Sequence, residues 1–245
     1  MTTFVLVPGF WLGGWAWDEV AAALREAGHR VYAVTLTGLA ERAGEASPEV
    51  DVRTHVDDIV GLIEGEDLRE VVLVGHSGAN MPVTGAADRI PGRLARVVYV
   101  DSGPLPSGMA QIDFNDPGER TEVEKRVAEE GEGWRIPPPP FDPAAEPEAL
   151  AGLDEAMLAR LRERATPEPL GAATWPLVRP ERVPATPKTM IACTVPLAAV
   201  RQMVDGGAPV FAMLAGPEWT FHELPTGHWP MLSRPAELAA LLGGL

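Results

Sequence analysis

Apolar and polar positions along this chain fall into two alternating patterns. Six short runs, Phe4–Val7, Val31–Val34, Val71–Val74, Val97–Val100, Met190–Cys193 and Trp219–Leu224, have the length and apolar character of strands. Between them, Trp17–Ala27, His55–Ile63, Met81–Arg89, Pro196–Val204 and Pro235–Leu242 space their apolar residues as helices do. Continuous apolar runs suit strands buried on both faces, and their alternation with amphipathic helices predicts a parallel sheet between two helical layers. The expected fold is a three-layer α/β/α sandwich with a mainly parallel sheet of about six strands.

The interval from Gly103 to Lys188 breaks the alternation. It is rich in acids and in proline, including Pro137–Pro140, with helical stretches near Glu119–Glu130 and Glu148–Arg164 and no convincing strand. Ordinary connections in α/β sheets run to about 2–6 residues, so an insertion of this size reads as a lid. The expected division is a core of residues 1–103 and 188–245 carrying a lid or cap of residues 104–187. No internal repeat is evident.

Charge narrows the partners. The formal net charge is −15, and two segments carry all of it: residues 41–70 hold ten acids against three Arg, and residues 113–168 hold fifteen acids against seven Lys or Arg. Nucleic acid requires a basic surface and is excluded as a partner; acid runs of this kind solvate exposed faces. No apolar run approaches the ~20 residues of a membrane helix. The start MTTFVLVPG lacks a basic region and enters a strand at once, unlike a signal peptide. The single cysteine, Cys193, permits no internal disulfide, which fits a cytoplasmic protein, and its apolar run MIAC suits a buried residue. One thiol and five scattered histidines form no metal-ligand cluster, so neither metal nor cofactor is expected.

Chemistry concentrates where the third strand stops. VVLVGHSGAN ends its apolar run at Gly75-His76-Ser77-Gly78-Ala79 and leads into a helical stretch. A sharp strand–turn–helix bend lifts a serine above the carboxyl edge of a sheet, and the positions two before and two after it must be small because strand and helix nearly touch. Gly75 and Ala79 meet that need, which makes Ser77 the candidate nucleophile. A serine nucleophile needs a base. His228, in LPTGHWPML, follows the last strand and so reaches the same sheet edge; His29, His55, His76 and His222 suit structural roles better.

FVLVPGFWLGGWAWDEV, VVLVGHSGAN and ELPTGHWPMLSRPAELAALL together resemble the α/β-hydrolase superfamily. The GFWLGGWAW spacing is similar to that of the branch holding plant salicylate-type methylesterases and hydroxynitrile lyases with bacterial esterase relatives. The resemblance covers the chain outside residues 103–188. It implies an oxyanion hole built from the backbone N–H groups of Phe10 and Gly78, where one donor contributes about 3 kcal/mol in the transition state. The chain departs from the branch at Pro8, where histidine is usual, and at the triad acid. Most members place an aspartate just after the fifth of these strands, and here that place reads CTVPL. Asp101, ending the fourth strand in VVYVDSGPLP, occupies the position from which some lipases of the superfamily draw the acid. It is also a good turn former before Ser-Gly-Pro; Asp205, Glu218 and Glu223 are the alternatives.

The leading expectation is a serine esterase acting on a small, largely apolar carboxylic ester through an acyl-enzyme, with Ser77, His228 and Asp101 as its triad. Trp11, Trp134, Phe141, Trp175 and Trp229 are the candidate lining of an apolar substrate pocket; packing of lid on body is their other explanation. A hydroxynitrile lyase-like activity fits less well, because those enzymes carry threonine at the position of Gly9 and lysine at that of Trp229. A natural-product-tailoring enzyme and a non-catalytic small-molecule receptor keeping the triad stay open. A small-molecule ester is the expected partner, and a homodimer is left open.

Overall fold

The computed structural model describes residues 1–208 and 210–245. Its elements run in chain order as β1 (Thr3–Val7), α1 (Asp18–Glu26), β2 (Arg30–Ala33), α2 (Val52–Gly65), β3 (Val71–His76), α3 (Asn80–Arg89), β4 (Leu94–Val100), α4 (Pro117–Glu129), β5 (Arg135–Ile136), α5 (Glu155–Arg164), β6 (Glu168–Pro169), α6 (Leu170–Thr174), β7 (Lys188–Ala192), α7 (Leu197–Asp205), β8 (Trp219–Glu223), α8 (Pro230–Ser233) and α9 (Pro235–Gly243). The six expected strands form one sheet in the order β2-β1-β3-β4-β7-β8, every neighbouring pair parallel.

Strand periodicity divides the core. Phe4 and Leu6 of β1 face one apolar cluster with Val20 and Leu24 of α1 and Leu238 and Leu242 of α9. Val5 and Val7 face the other, with Ile59 and Ile63 of α2 and Val83 of α3. Successive side chains of a strand point to opposite faces, so β1 must be apolar throughout to serve two helical layers. Helix α2 begins at a capping box: Asp51 accepts from the N–H groups of Arg53 and Thr54, and the Thr54 hydroxyl reaches back to Asp51 N.

Strand order reverses between β1 and β3, because β2 lies outside β1 and β4 lies outside β3. The chains leaving those two strands part in opposite directions, opening a crevice at their carboxyl ends. The Pro8–Leu12 loop follows β1 and Ser77 follows β3, so topology alone brings them together.

The segment between β4 and β7 is helical, as expected, but differs in two details. It holds a short antiparallel ribbon, with Arg135 opposite Pro169 and Ile136 opposite Glu168, which two-residue strands cannot announce in a sequence. Helix α5 starts at Glu155 rather than near Glu148, because the turns up to Gly152, with φ of 84°, precede an N-cap at Asp154 that bonds Met157 N. A buried ion pair, Arg179 Nε to Asp88 Oδ2 at 2.7 Å, ties the end of this segment to α3.

Candidate active site

The turn after β3 is tight. Ser77 takes a left-handed conformation, φ 49°, uncommon for a residue with a Cβ and characteristic of strained functional turns. A Cβ on Gly75 would lie 2.8 Å from both methyls of Val83, so strand and helix leave room there for glycine alone. A Cβ on Gly9 would sit 2.9 Å from Ser77 Cβ, which places the Pro8–Leu12 loop directly on the serine turn.

Ser77, His228 and Asp101 lie in one hydrogen-bonded line. His228 Nε2 is 2.7 Å from Ser77 Oγ, and His228 Nδ1 is 2.7 Å from Asp101 Oδ2. The carboxylate is buried and the imidazole is partly open. Asp101 also adopts a left-handed φ, 47°, which turns its side chain across the sheet edge. There the loop after β7 receives it: Cys193 N and Thr194 N donate to Oδ1 at 3.0 and 2.9 Å, and the Thr194 hydroxyl donates to Oδ2. Burial works to raise the Asp101 pKa, but the hydrogen bond and charge of His228 and the bonds from Thr194 outweigh it and hold the pKa at about 2. The CTVPL stretch, lacking a carboxylate of its own, thus cradles one from the neighbouring strand. The other acids lie elsewhere: Glu223 accepts from Leu197 N, Glu218 pairs with Lys188, and Asp205 is exposed at the end of α7.

Two further contacts support His228. His76, fully buried, donates through Nε2 to the His228 carbonyl at 2.6 Å. Burial and the neighbouring His228 push its own pKa down to about 3, so it stays neutral. The His228 backbone N–H donates to Ala149 O, in the segment between β4 and β7, at 2.6 Å. The identity of His76 within G-x-S-x-A was a usable signal; the Ala149 contact, 79 residues away and through backbone, left none.

An apolar cavity of about 320 Å³ opens beside Ser77 and His228. Its walls include Leu105 and Phe114 from the segment after β4, Met190 of β7, and Val200, Phe211 and Leu214 from the segment after β7. None of the five aromatics expected to line it does so. Trp229 and Phe141 are buried against each other, their rings 5.7 Å apart, in the core beneath His228. Trp175 lies on the surface under the Arg53 guanidinium, and Trp134 stacks with Arg135. Trp11 is taken up by hydrogen bonds to Glu168 and Ile136 of the β5–β6 ribbon. Aromatic character does not separate packing from lining here, and the residues that line the cavity, aliphatic ones with Phe114 and Phe211 among them, carry no distinguishing sequence signal. Phe10 packs its ring over Gly78, where an added Cβ would come within 2.6 Å. Among the described residues its N–H has no acceptor within the chain.

The described residues contain no cluster of three or more His, Cys, Asp or Glu that could hold a metal ion, and no helix long and apolar enough to cross a membrane. Cys193 is buried, and burial first, then the Asp101 charge, raises its thiol pKa, which leaves it inert.

A parallel sheet with a strained serine turn, a histidine after the last strand and a carboxylate between them defines the chain's class, and the chain belongs to the alpha/beta hydrolase family, whose sequence model matches residues 4–241. Among curated relatives it is 49% identical over 102 residues, 42% of each chain, to a carbendazim hydrolyzing esterase of Nocardioides sp. (strain SG-4G). It is 30% identical over 190 residues to methyl jasmonate esterase 1 of Vitis vinifera, covering 74% of this chain and 67% of that one. The matched stretch spans only 42% of the carbendazim esterase and 41% of putative methylesterase 14 of Arabidopsis thaliana. An extracellular alpha/beta-hydrolase from a Paenibacillus species shares the fold, with a TM-score of 0.79 at 22% identity over 99% of this chain and 98% of that one.

Proposed function

We propose that this protein is a serine esterase that hydrolyses small, neutral, largely apolar carboxylic esters through an acyl-enzyme. The observation that carries this reading is the His228 ring, 2.7 Å from Ser77 Oγ on one side and 2.7 Å from Asp101 on the other, at the mouth of an apolar cavity. His228 takes the Ser77 proton as Oγ attacks the ester carbonyl, and returns it to the departing alkoxide. A water activated by the same imidazole then releases the acid. Asp101, ionised down to pH about 2, orients the ring and stabilises the imidazolium at every working pH. The N–H groups of Phe10 and Gly78 take the role of oxyanion donors, and residues 104–187 act as the lid.

The cavity supports the substrate class. Among the described residues that line it there is no Lys or Arg and one carboxylate, Asp101, which is engaged by His228 and Thr194, so a charged substrate would lose hydration without compensation. The relatives named as esterases and methylesterases support ester cleavage. The lyase alternative is disfavoured by packing: a threonine at Gly9 would strike the His76 ring and Ser77 Cβ, both 2.9 Å from its Cβ.

A panel of p-nitrophenyl and methyl aryl esters tests the proposal. Neutral aryl and short acyl esters are expected to turn over, with kcat/KM falling by an order of magnitude or more when a carboxylate is added to the acyl part. Equal turnover of charged and neutral members would contradict the assigned pocket, and no hydrolysis of any member, with tight binding of one, would favour a receptor.

A further inference from the structure

Trp11 follows the Phe10 N–H directly, and the lid holds it on three sides. Its backbone N–H donates to Glu168 Oε2 at 3.0 Å, its carbonyl accepts from Thr166 N–H at 2.9 Å, and its indole Nε1 donates to Ile136 O at 3.1 Å. All three partners belong to the lid ribbon of β5 and β6 or its approach. Trp11 needs holding, because its φ is 68°, a conformation that a bulky residue adopts only when its surroundings impose it. Nearby, the Thr166 hydroxyl accepts from Ala40 N at 2.9 Å, so the same strand of lid is stitched to the body on both sides of the loop.

Glu168 is an unusual residue for such a place. It is 1% exposed and, among the described residues, has no Lys or Arg in a salt bridge with it. Across from it stands His55 of α2, also buried, whose Nε2–H donates to Thr37 O at 3.0 Å and whose Nδ1 therefore faces Glu168 Oε1 as an acceptor, 4.0 Å away. Oε1 has no other partner among the described residues. A carboxylate buried this way is costly, so the acid proton stays on. Burial raises the Glu168 pKa to about 8, against a smaller opposing effect of the Trp11 N–H, and lowers that of His55. A leucine would be cheaper to bury, but it would leave the Trp11 N–H without an acceptor.

We propose that Glu168 is a positioning residue of the active site: as a neutral acid on the lid it fixes Trp11, and through Trp11 it aims the Phe10 N–H at the developing oxyanion. This rests on the serine-esterase reading, and it makes the lid part of the catalytic apparatus as well as its cover. A donor misplaced by a fraction of an ångström acts in the transition state and hardly at all in ground-state binding, so the signature is kinetic.

The test compares wild type, Glu168→Ala, Glu168→Gln and Ser77→Ala on one p-nitrophenyl ester. Rates are expressed per active site titrated with a fluorophosphonate, and inhibition by an aryl trifluoromethyl ketone, whose hemiketal presents an oxyanion, is measured alongside. Glu168→Ala should lose about tenfold to a hundredfold in kcat per titrated site, with KM little changed and the ketone weakened in proportion to kcat/KM. Glu168→Gln, which keeps an acceptor for Trp11 N–H and a donor toward His55 Nδ1, should recover most of that loss. An unchanged kcat per titrated site in Glu168→Ala, with only fewer titratable sites or a lower Tm, would reduce Glu168 to a fold residue and overturn the proposal. So would a glutamine variant as poor as the alanine one. Turnover surviving in Ser77→Ala would bring down the serine mechanism and this proposal with it, whereas turnover lost in Ser77→Ala but kept in Glu168→Ala brings down this proposal alone.

Discussion

The serine turn and the β5–β6 ribbon press on the Pro8–Leu12 loop from two sides, and they hold the site by different means. On the sheet side the constraint is local and steric: Gly75 against Val83, Gly9 against Ser77, and a left-handed Ser77, all within a few residues of β1 and β3. On the lid side it is long-range and polar. Glu168 and Thr166 reach Trp11 across more than 150 residues, and Ala149 reaches His228 across 79. Asp101 stands between the two cases, placed by the end of β4 but held by the loop after β7. A steric turn survives any change that keeps residues small, whereas a polar strap fails when one partner is removed, so the two regions should break differently under mutation.

The largest expected effect is on the Asp101 carboxylate. Asp101→Asn keeps the left-handed backbone, which asparagine tolerates, but removes the charge facing His228. Its kcat should fall a thousandfold or more, toward the ~10⁴ cost of this change in a serine triad. Circular dichroism should show the fold intact. A loss of less than tenfold would make Asp101 a turn residue. Next comes the anchor of the segment between β4 and β7. Arg179 and Asp88 are both buried, and Asp88→Ala leaves the guanidinium unpaired, costing about 3 kcal/mol of unfolding free energy. Urea denaturation reads this directly, and a shift under half of that would mean the lid is held by its other contacts.

A smaller effect separates the lid by pH. Glu168 has its folded pKa raised to about 8, so its contribution to stability is full below the unfolded carboxyl value near 4.5 and is lost as pH rises through about 8. His55, lowered first by burial, acts in the opposite sense and costs stability below about pH 6.5. Asp51, Asp58 and Arg42 are the other charged groups around His55, and wild type and variant share them. Wild-type Tm should therefore decline between pH 6 and 8.5 more steeply than that of Glu168→Gln, and parallel curves would show Glu168 already ionised. The smallest expected effect is none: Trp175→Ala, on the surface under Arg53, should leave kcat/KM within about twofold. Phe211→Ala in the cavity wall should raise KM instead.

This contrast also explains what could be read from the chain beforehand. The six strands, their parallel order and the roles suggested for Ser77 and His228 follow from apolar runs, small residues around a polar apex, and position at a sheet end, all of them local properties. The preference for Asp101 over Asp205, Glu218 and Glu223 rests on the resemblance, since some lipases of the superfamily draw the acid from the end of this strand, and the geometry brings Asp101 alone of the four to His228. Aromatic area fits a core and a pocket equally well, so the sequence does not separate the two for the five aromatics; Phe141 and Trp229 lie in the core and Trp175 on the surface. Glu168 passed unnoticed among fifteen acids of a charged segment, since a buried acid and a solvated one look alike until the fold sets one opposite Trp11.

The central claim is that hydrolysis runs through Ser77. Labelling the purified protein with a fluorophosphonate, mapping the adduct by peptide mass spectrometry and following residual esterase activity tests it most directly. One label per chain on Ser77, with activity falling in proportion to labelling and no adduct in Ser77→Ala, is the predicted result. Hydrolysis continuing undiminished in fully labelled protein, or an adduct on a residue other than Ser77 that abolishes activity, would contradict it.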